Sequence, residues 1–346
     1  MKYPILCQIM PPDLLKQLLG QVPEEEKNIV LRTIIIDSKM RERRAIMGSM
    51  SSMFPLAGEK SICIFDSHNT KDVRSSTKVR CLNDDKADDL SANEAFHGLD
   101  VTYNFYENIF GRKSIDNNNM SIKGYVHWGD KYMNAFWDGA KMCYGDGDPN
   151  LGIKSFTASI DVMGHELTHG VTQYESGLEY WCDESHHPGA LNESISDVFG
   201  SLIKQYALNQ TAEQADWLIG QIFTDPNLAL RNMREPGTAR PNDPQPAHMR
   251  DYVNLPNDED HDNGGVHINS SIPNKAFCLA AIDIGGYAWE KAGQIWYKAL
   301  HGDIPTDCDF HTFAQLTLET SKLLFGNESR EHRAVRKGWE AVGIRI

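Results

Sequence analysis

The hydrophobic period of the chain changes near its middle. From about residue 156 onward apolar residues recur every three or four positions. That spacing predicts helices over 158–174, 189–208, 211–222, 265–283, 287–300, 310–325 and 329–341. Between about 60 and 150 the chain is rich in aromatics, Gly, Asn and Asp. There Lys60-Ser61-Ile62-Cys63-Ile64-Phe65-Asp66-Ser67, Tyr125-Val126-His127-Trp128 and Asn134-Ala135-Phe136-Trp137 read as short strands bounded by turns. Ahead of both regions, residues 12–36 read as two short helices. Pro12 opens the first, which stops at Gly20. Pro23 followed by Glu24, Glu25 and Glu26 opens the second, with acid at the positive end of the helix dipole. Its apolar stripe, Val30, Leu31, Ile34 and Ile35, is too small to fold alone. Residues 37–58 turn basic at Lys39, Arg41, Arg43 and Arg44, then loosen through Gly48-Ser49-Met50-Ser51-Ser52-Met53-Phe54-Pro55, the composition of a linker.

The pattern therefore predicts an α+β chain with a β-rich N-terminal lobe and a mainly helical C-terminal lobe. At 346 residues, two domains and a small appendage fit the usual domain size. Charge narrows the partners. The net charge is −14, with eight Lys/Arg against six Asp/Glu in residues 1–50, a net of +2 that leaves −16 on residues 51–346. An acidic body excludes nucleic acid as the expected partner, because a phosphate backbone needs a basic surface. No 18-residue apolar run exists to span a membrane. The first residues lack the apolar core of a secretory signal, so the expectation is a cytoplasmic protein, or one exported without a standard signal peptide. Seven cysteines without a C-x-x-C pair predict mostly reduced thiols rather than a disulfide framework or a cysteine zinc cluster.

The candidate chemistry sits in the predicted helix 158–174, in His165-Glu166-Leu167-Thr168-His169. Residues four apart share a helix face, so both imidazoles can reach one metal ion while Glu166 projects near the same place to deprotonate a water. The competing reading of five such letters is a polar helix face. A catalytic zinc takes three protein ligands. Glu193, in Gly189-Ala190-Leu191-Asn192-Glu193-Ser194-Ile195-Ser196-Asp197, is the candidate third. Asp197, one turn on, can receive the free ring N–H of a ligand imidazole; capping or surface acids are the alternative reading. His267 follows a Gly-Gly turn in Asp262-Asn263-Gly264-Gly265-Val266-His267-Ile268-Asn269-Ser270. Asp262 favours its charged form, which suits a donor to an oxyanion.

These three blocks resemble the signature blocks of the thermolysin family, in the family's order. Asn134-Ala135-Phe136-Trp137 with Tyr144-Gly145-Asp146-Gly147-Asp148 resembles its substrate strand. The resemblance runs from about residue 60 to Ile346. It implies a two-lobe fold with the zinc site in the cleft between the lobes, and a zinc-dependent neutral endopeptidase that cuts before bulky apolar residues. It implies zinc on His165, His169 and Glu193, with Glu166 as general base. Asp197 would orient His165 and Asn192 would orient His169. Asn134 and Ala135 would bind the substrate backbone, Arg231 would grip a substrate carbonyl, and Val162, Ile219 and Leu230 would line an apolar pocket. His267, supported by Asp262, would stabilise the oxyanion. The family's catalytic tyrosine maps to Tyr180.

Two departures accompany the resemblance. About four residues are inserted within 181–188, where His186 and His187 are expected to be an exposed loop pair; a metal pair is the alternative. The family's double calcium site retains Asp161 and Asp216, but Lys204, Leu218 and Gln221 stand where acids are usual, so that site is expected to be lost or weakened. Ile9-Met10-Pro11-Pro12-Asp13-Leu14-Leu15 resembles the short propeptide of the protealysin-like subgroup. By that resemblance residues 1–50 are an inhibitory propeptide, self-removed somewhere in 45–58, ahead of catalytic lobes at 58–175 and 176–346. Cys7 reads as ordinary packing, with zinc ligation in the latent form as the alternative. A monomer acting on peptide or protein substrates is expected. The competing class is a latent or non-catalytic zinc-binding protein of the same fold.

Overall fold

The computed structural model describes residues 8–47, 58–178 and 186–346, without the side chains at 39–47 and 259. The chain divides into two compact units. One reaches Val171 and takes in Gly220–Leu228; the other comprises Thr172–Ile219 and Ala229–Ile346.

The first unit opens with α1 (Pro12–Gln21) and α2 (Lys27–Met47). α2 does not stop where its apolar stripe stops. It runs through the basic stretch to Met47, because Lys, Arg and Met are good helix formers and no Gly or Pro interrupts them. Its buried face also differs from the predicted one: Val30, Thr33, Ile36 and Asp37 are buried, while Leu31 and Ile35 are exposed. A helix face that carries Thr and Asp inward is invisible to a search for apolar periodicity.

A five-stranded sheet follows, built from β1 (Ile62–Asp66), β2 (Thr77–Cys81), β3 (Ile122–Val126), β4 (Ala135–Trp137) and β5 (Met142–Tyr144) in the order β2-β1-β3-β5-β4. β1, β3 and β5 are parallel; the outer strands β2 and β4 run antiparallel to their neighbours. β4 is therefore an edge strand, with one row of backbone groups left for another partner. Cys63 and Cys81 are register partners across β1 and β2, and a disulfide joins them. This corrects the expectation of reduced thiols. Antiparallel pairing brings together cysteines 18 residues apart, a spacing that a motif search ignores. Cys143, Cys278 and Cys308 are free and buried; Cys7 and Cys182 lie outside the described residues.

Between β2 and β3 runs α3 (Leu90–Phe110), a 21-residue helix in a region that reads as strands and turns. Asp89 caps its start by accepting from the Ala92 N–H, and left-handed Gly111 ends it. The helix buries Ala92, Ala95, Phe96, Leu99, Tyr103 and Tyr106, a 3.6-residue stripe masked in the sequence by its polar aromatics and Asn. α4 (Ile160–Glu175) begins in this unit and is buried on all sides from Asp161 to Thr172. Its close approach to α3 needs a glycine: a Cβ on Gly98 would come within 2.2 Å of the Met163 side chain.

The second unit holds α5 (His187–Leu208), the two-stranded ribbon β6 (Leu218–Ile219) and β7 (Arg231–Asn232), and then α6 (Asp262–Asn269), α7 (Ser271–Ile284), α8 (Ala292–Leu300), α9 (Phe310–Phe325) and α10 (Arg330–Ala341). The helix expected over 211–222 is absent; turns and β6 replace it. Trp217 and Gly220 both take positive φ, which a right-handed helix cannot contain. α10 packs so closely on α7 that a Cβ on Gly338 would meet the Ala276 carbonyl at 2.4 Å.

One ion cluster braces the first unit. His127, just past β3, places Nδ1 2.9 Å from both oxygens of Asp146 and Nε2 2.8 Å from Asp89, the α3 cap. The bond to Asp146 outweighs partial burial and, with Asp89, raises the imidazole to about 9. A folded-state pKa above the unfolded value of about 6.5 gives stability that is fully present below that pH and lost as pH rises through about 9. We expect the Tm difference between the native chain and His127→Asn to be largest near pH 6 and to shrink by pH 10. Asn is chosen because position 127 has a φ of 50°.

Candidate metal centre

α4 presents His165, Glu166 and His169 from a wholly buried stretch: relative exposures are 0%, 0% and 4%. The two Nε2 atoms are 3.0 Å apart, with the rings edge to face. Neighbours fix the helix at this point. Thr168 Oγ1 donates to the Gly164 carbonyl and lies 2.7 Å from the Tyr106 hydroxyl on α3. Gly170 leaves room where a Cβ would sit 2.5 Å from Ile115 and 3.0 Å from Trp137 Nε1. The Trp137 N–H on β4 donates to Glu166 Oε2 at 3.1 Å, so the edge strand and the carboxylate are held together.

Glu193 lies on α5, buried throughout from Pro188 to Ile203. One ligand atom each from His165, His169 and Glu193 lie within 4.8 Å of one another, and among the described residues this is the one such group of three. Two imidazole nitrogens and one carboxylate oxygen are the donor set of a catalytic zinc. All three side chains are buried, and a buried carboxylate among imidazoles is costly unless it is paired or binds a metal. The residues fit zinc.

Around Glu193 the second unit supplies more charge. His267 Nε2 is 3.3 Å from Glu193 Oε2, and Nδ1 is 2.5 Å from Asp262 Oδ1. The Asp262 carboxylate also accepts from the His267 N–H at 2.8 Å. Burial alone would lower the imidazole pKa, but the charges of Asp262 and Glu193 outweigh it and raise it. The turn that delivers His267 is unusual: Asp262, Asn263, Gly264 and Gly265 all take positive φ. Gly264 is required twice over, since a Cβ there would also fall 2.2 Å from the His186 ring. His186 and His187 are thus not an exposed loop pair. Both are partly buried, and His187 stacks on Phe310 with centroids 4.3 Å apart. Burial lowers its pKa, as expected of a packed neutral ring.

Other sequence-predicted residues are engaged as follows. Asp197 forms a fork-to-fork pair with Arg231 at 2.7 Å and accepts from Asn274 Nδ2 at 2.8 Å. Arg231 is 2% exposed. Asn192 Nδ2 donates to the Leu178 carbonyl at 3.4 Å. Val162, Ile219 and Leu230 are buried, and the Leu230 N–H donates to the Ile219 carbonyl. Tyr180 lies outside the described residues. Asn134, 0% exposed, holds Met10 from both sides: Oδ1 accepts from the Met10 N–H at 3.0 Å and Nδ2 donates to its carbonyl at 3.2 Å. Beside it Gln8 bridges Phe136 in antiparallel sense, so residues 8–10 cover the free edge of β4. Asn274, Gln245 (whose Nε2 donates to the His267 carbonyl at 2.7 Å), Thr33 and Asp37 escape sequence reasoning. Each acts through a hydrogen bond that no spacing encodes.

The calcium-related positions are occupied by side chains. Lys204 Nζ donates to both Asp216 oxygens at 3.0 Å and to the Leu218 carbonyl at 3.1 Å. Asp161 accepts from Ser159 Oγ, the Val162 N–H and the Gly220 N–H.

Comparison with known proteins identifies the family. Residues 40–173 match the family described as "Thermolysin metallopeptidase, catalytic domain", and residues 176–344 match "Thermolysin metallopeptidase, alpha-helical domain". The chain is 40% identical to an extracellular metalloprotease of Pectobacterium carotovorum subsp. carotovorum, covering 100% of this chain and 99% of the relative. It is 37% identical to thermolysin of Alicyclobacillus acidocaldarius subsp. acidocaldarius over 74% of this chain and 46% of that protein. The solved precursor of protealysin, a metalloproteinase from Serratia proteamaculans, superposes with a TM-score of 0.85 at 40% identity, covering 98% of this chain and 99% of that one. The buried Arg231–Asp197 pair gives a stability test: Arg231→Met strands a buried carboxylate and should cost about 3–5 kcal/mol, read as a lowered urea midpoint.

Proposed function

The chain belongs to the thermolysin family and is a zinc metalloendopeptidase, and we propose that it is made as a latent precursor that cuts before bulky apolar residues once residues 1–50 are removed. The observation that carries the catalytic part is the buried group of His165, His169 and Glu193, with Glu166 beside the first ligand on the same helix. The one that supports latency is the seating of Gln8 to Met10 on β4. An extended peptide adding to an exposed sheet edge is a standard recognition mode. The Asn134 amide, which reads both the N–H and the C=O of Met10, can read a substrate backbone in the same way. Val162, Ile219 and Leu230 are assigned to the apolar pocket for the residue after the cut, and Ala135 to backbone binding.

His165, His169 and Glu193 would hold zinc, which when bound would supply Lewis-acid activation of water and of the scissile carbonyl. Glu166 removes the proton from the attacking water and returns it to the leaving amine. The Trp137 N–H fixes one Glu166 oxygen for that exchange. His267, whose Nδ1 is held by Asp262, is assigned to donate to the tetrahedral oxyanion; Tyr180 is a second candidate donor. Asp197, paired with Arg231, is assigned to orient His165, Arg231 to grip a substrate carbonyl, and Asn192, which donates to the Leu178 carbonyl, to orient His169.

The prosegment boundary is placed within 45–58, of which 48–57 lies outside the described residues. Apolar Met50, Met53, Phe54 and Leu56 there suit self-processing by an enzyme of this preference. The Cys63–Cys81 disulfide supports maturation in an oxidising compartment, hence export. Among the described residues no helix is long and apolar enough to cross a membrane. Lys204 supports a reduced calcium requirement.

Two outcomes test these readings. Glu166→Ala should lower casein hydrolysis by about 10²–10⁴-fold while keeping bound zinc; equal activity of variant and native chain would sink the protease reading. Calcium added to the metal-depleted chain should raise Tm less than zinc does.

A further inference from the structure

We propose that Asp37 is the lock of the latent state, holding the Asn134 amide in the orientation that grips Met10. The proposal rests on the reading of residues 1–50 as an inhibitory prosegment. A side-chain amide has a donor end and an acceptor end that are nearly equal in shape, so its orientation is chosen by its partners. Here Oδ1 accepts from the Met10 N–H, and Nδ2 has two tasks: it donates to the Met10 carbonyl and, at 2.9 Å, to Asp37 Oδ2. An ionised carboxylate is an acceptor only. Turning the amide over would set its oxygen against Asp37 and the Met10 carbonyl together, so Asp37 excludes the flipped form.

The other oxygen of Asp37 accepts from the Tyr132 hydroxyl at 2.5 Å. Burial first, and then the Asp37 charge, raise the Tyr132 pKa well above its ordinary value, so the phenol keeps the proton it donates. One turn earlier on α2, Thr33 Oγ1 accepts from the Met133 N–H at 3.2 Å. Three successive residues, Tyr132, Met133 and Asn134, are therefore each held from α2 by Thr33 or Asp37. The contact is dry: Asp37 and Thr33 are each 1% exposed, and Ile36 beside them packs into the cluster of Trp128, Tyr132, Phe136 and Cys143. Charge-assisted hydrogen bonds in such surroundings are the strong kind. Gln8 Nε2 reaches the Asp37 carbonyl at 3.5 Å, which ties the strand-like segment back to the same residue. When the prosegment leaves, Asn134 loses Met10 and Asp37 together, and its amide is freed for a substrate.

The test uses the full chain carrying Glu166→Ala, which cannot process itself. Hydrogen exchange at the Met10 amide is measured with and without Asp37→Ala, and with Asp37→Asn as the same-sized variant should the alanine chain fail to fold. Exchange faster by about ten- to a hundredfold is expected, the loss of one or two hydrogen bonds to a charged group. Unchanged protection at Met10 in a folded variant overturns the proposal. With Glu166 intact, the Asp37→Asn precursor should hydrolyse a small peptide sooner than the native precursor. Its processed form should have the native kcat/KM, because residue 37 departs with the prosegment; an unchanged lag would also overturn the proposal. If neither processed chain hydrolyses the peptide, the protease reading fails, while the exchange result still judges Asp37.

Discussion

A helix buried on every side makes each polar side chain it carries costly unless a partner answers it, and α4 carries six. Asp161, His165, Glu166, Thr168, His169 and Thr172 all lie in its buried stretch. Stranding any one of them costs on the order of 1–3 kcal/mol, and more for a charge. Much of the surrounding architecture answers that demand. Asp161 takes Ser159 Oγ and the Gly220 N–H, Thr168 takes Tyr106 and its own helix carbonyl, and Glu166 takes the Trp137 N–H. For the two imidazoles the answer is each other's neighbourhood and Glu193. Two Nε2 atoms 3.0 Å apart, grouped with a carboxylate, are what a shared cation would organise. The chemistry of the site and the packing of the helix are thus one problem, and a glycine at 98 or 170 belongs to it as much as a histidine does.

The second constraint is the edge of the sheet. β4 is short and terminal in the strand order, and its unpaired side would be a liability if left open. Residues 8–10 cover it in the described structure, using a side-chain amide where a longer strand would use a ladder. That recognition uses one bridge and one amide. The strength is placed elsewhere, in the α2 face that bears Thr33, Ile36 and Asp37. On the proposed reading of residues 1–50 as a prosegment, that segment must hold firmly before maturation and leave cleanly after it, and separating the strand mimic from the anchor serves both.

Much of this was legible beforehand. The helices after residue 156 follow apolar periodicity, although the same signal over 211–222 gives no helix, and the H-E-x-x-H spacing with Glu193 picks out the group that the fold gathers. The exceptions share a cause. α3 was hidden because Asn93, Asp100 and Asn104 interrupt its buried stripe of Ala, Phe, Leu and Tyr in the sequence, a composition that reads as turns. The buried face of α2 was hidden because an Asp and a Thr lie on it. The Cys63–Cys81 bond depends on strand register, and Asn274 and Gln245 depend on tertiary approach. Periodicity reports where apolar groups are buried. It is silent where a polar group is buried for a partner that lies far away in sequence.

Several charged side chains act as braces built into the chain itself. A bound divalent ion stabilises only as far as its concentration exceeds its dissociation constant. Lys204, covalently attached and held by Asp216 and the Leu218 carbonyl, is subject to no such condition. Its single positive charge suits a site with one carboxylate, as a divalent ion suits a site with several. The disulfide between β1 and β2, and His127 between Asp89 and Asp146, brace the first unit in the same self-contained way. A tethered ammonium and an imidazolium cannot be stripped by a chelator or diluted away. They are limited instead by pH, and for His127 that limit lies near 9. The first unit thus carries these braces within the chain, whereas the group gathered beside Glu166 is arranged for an ion that must be supplied.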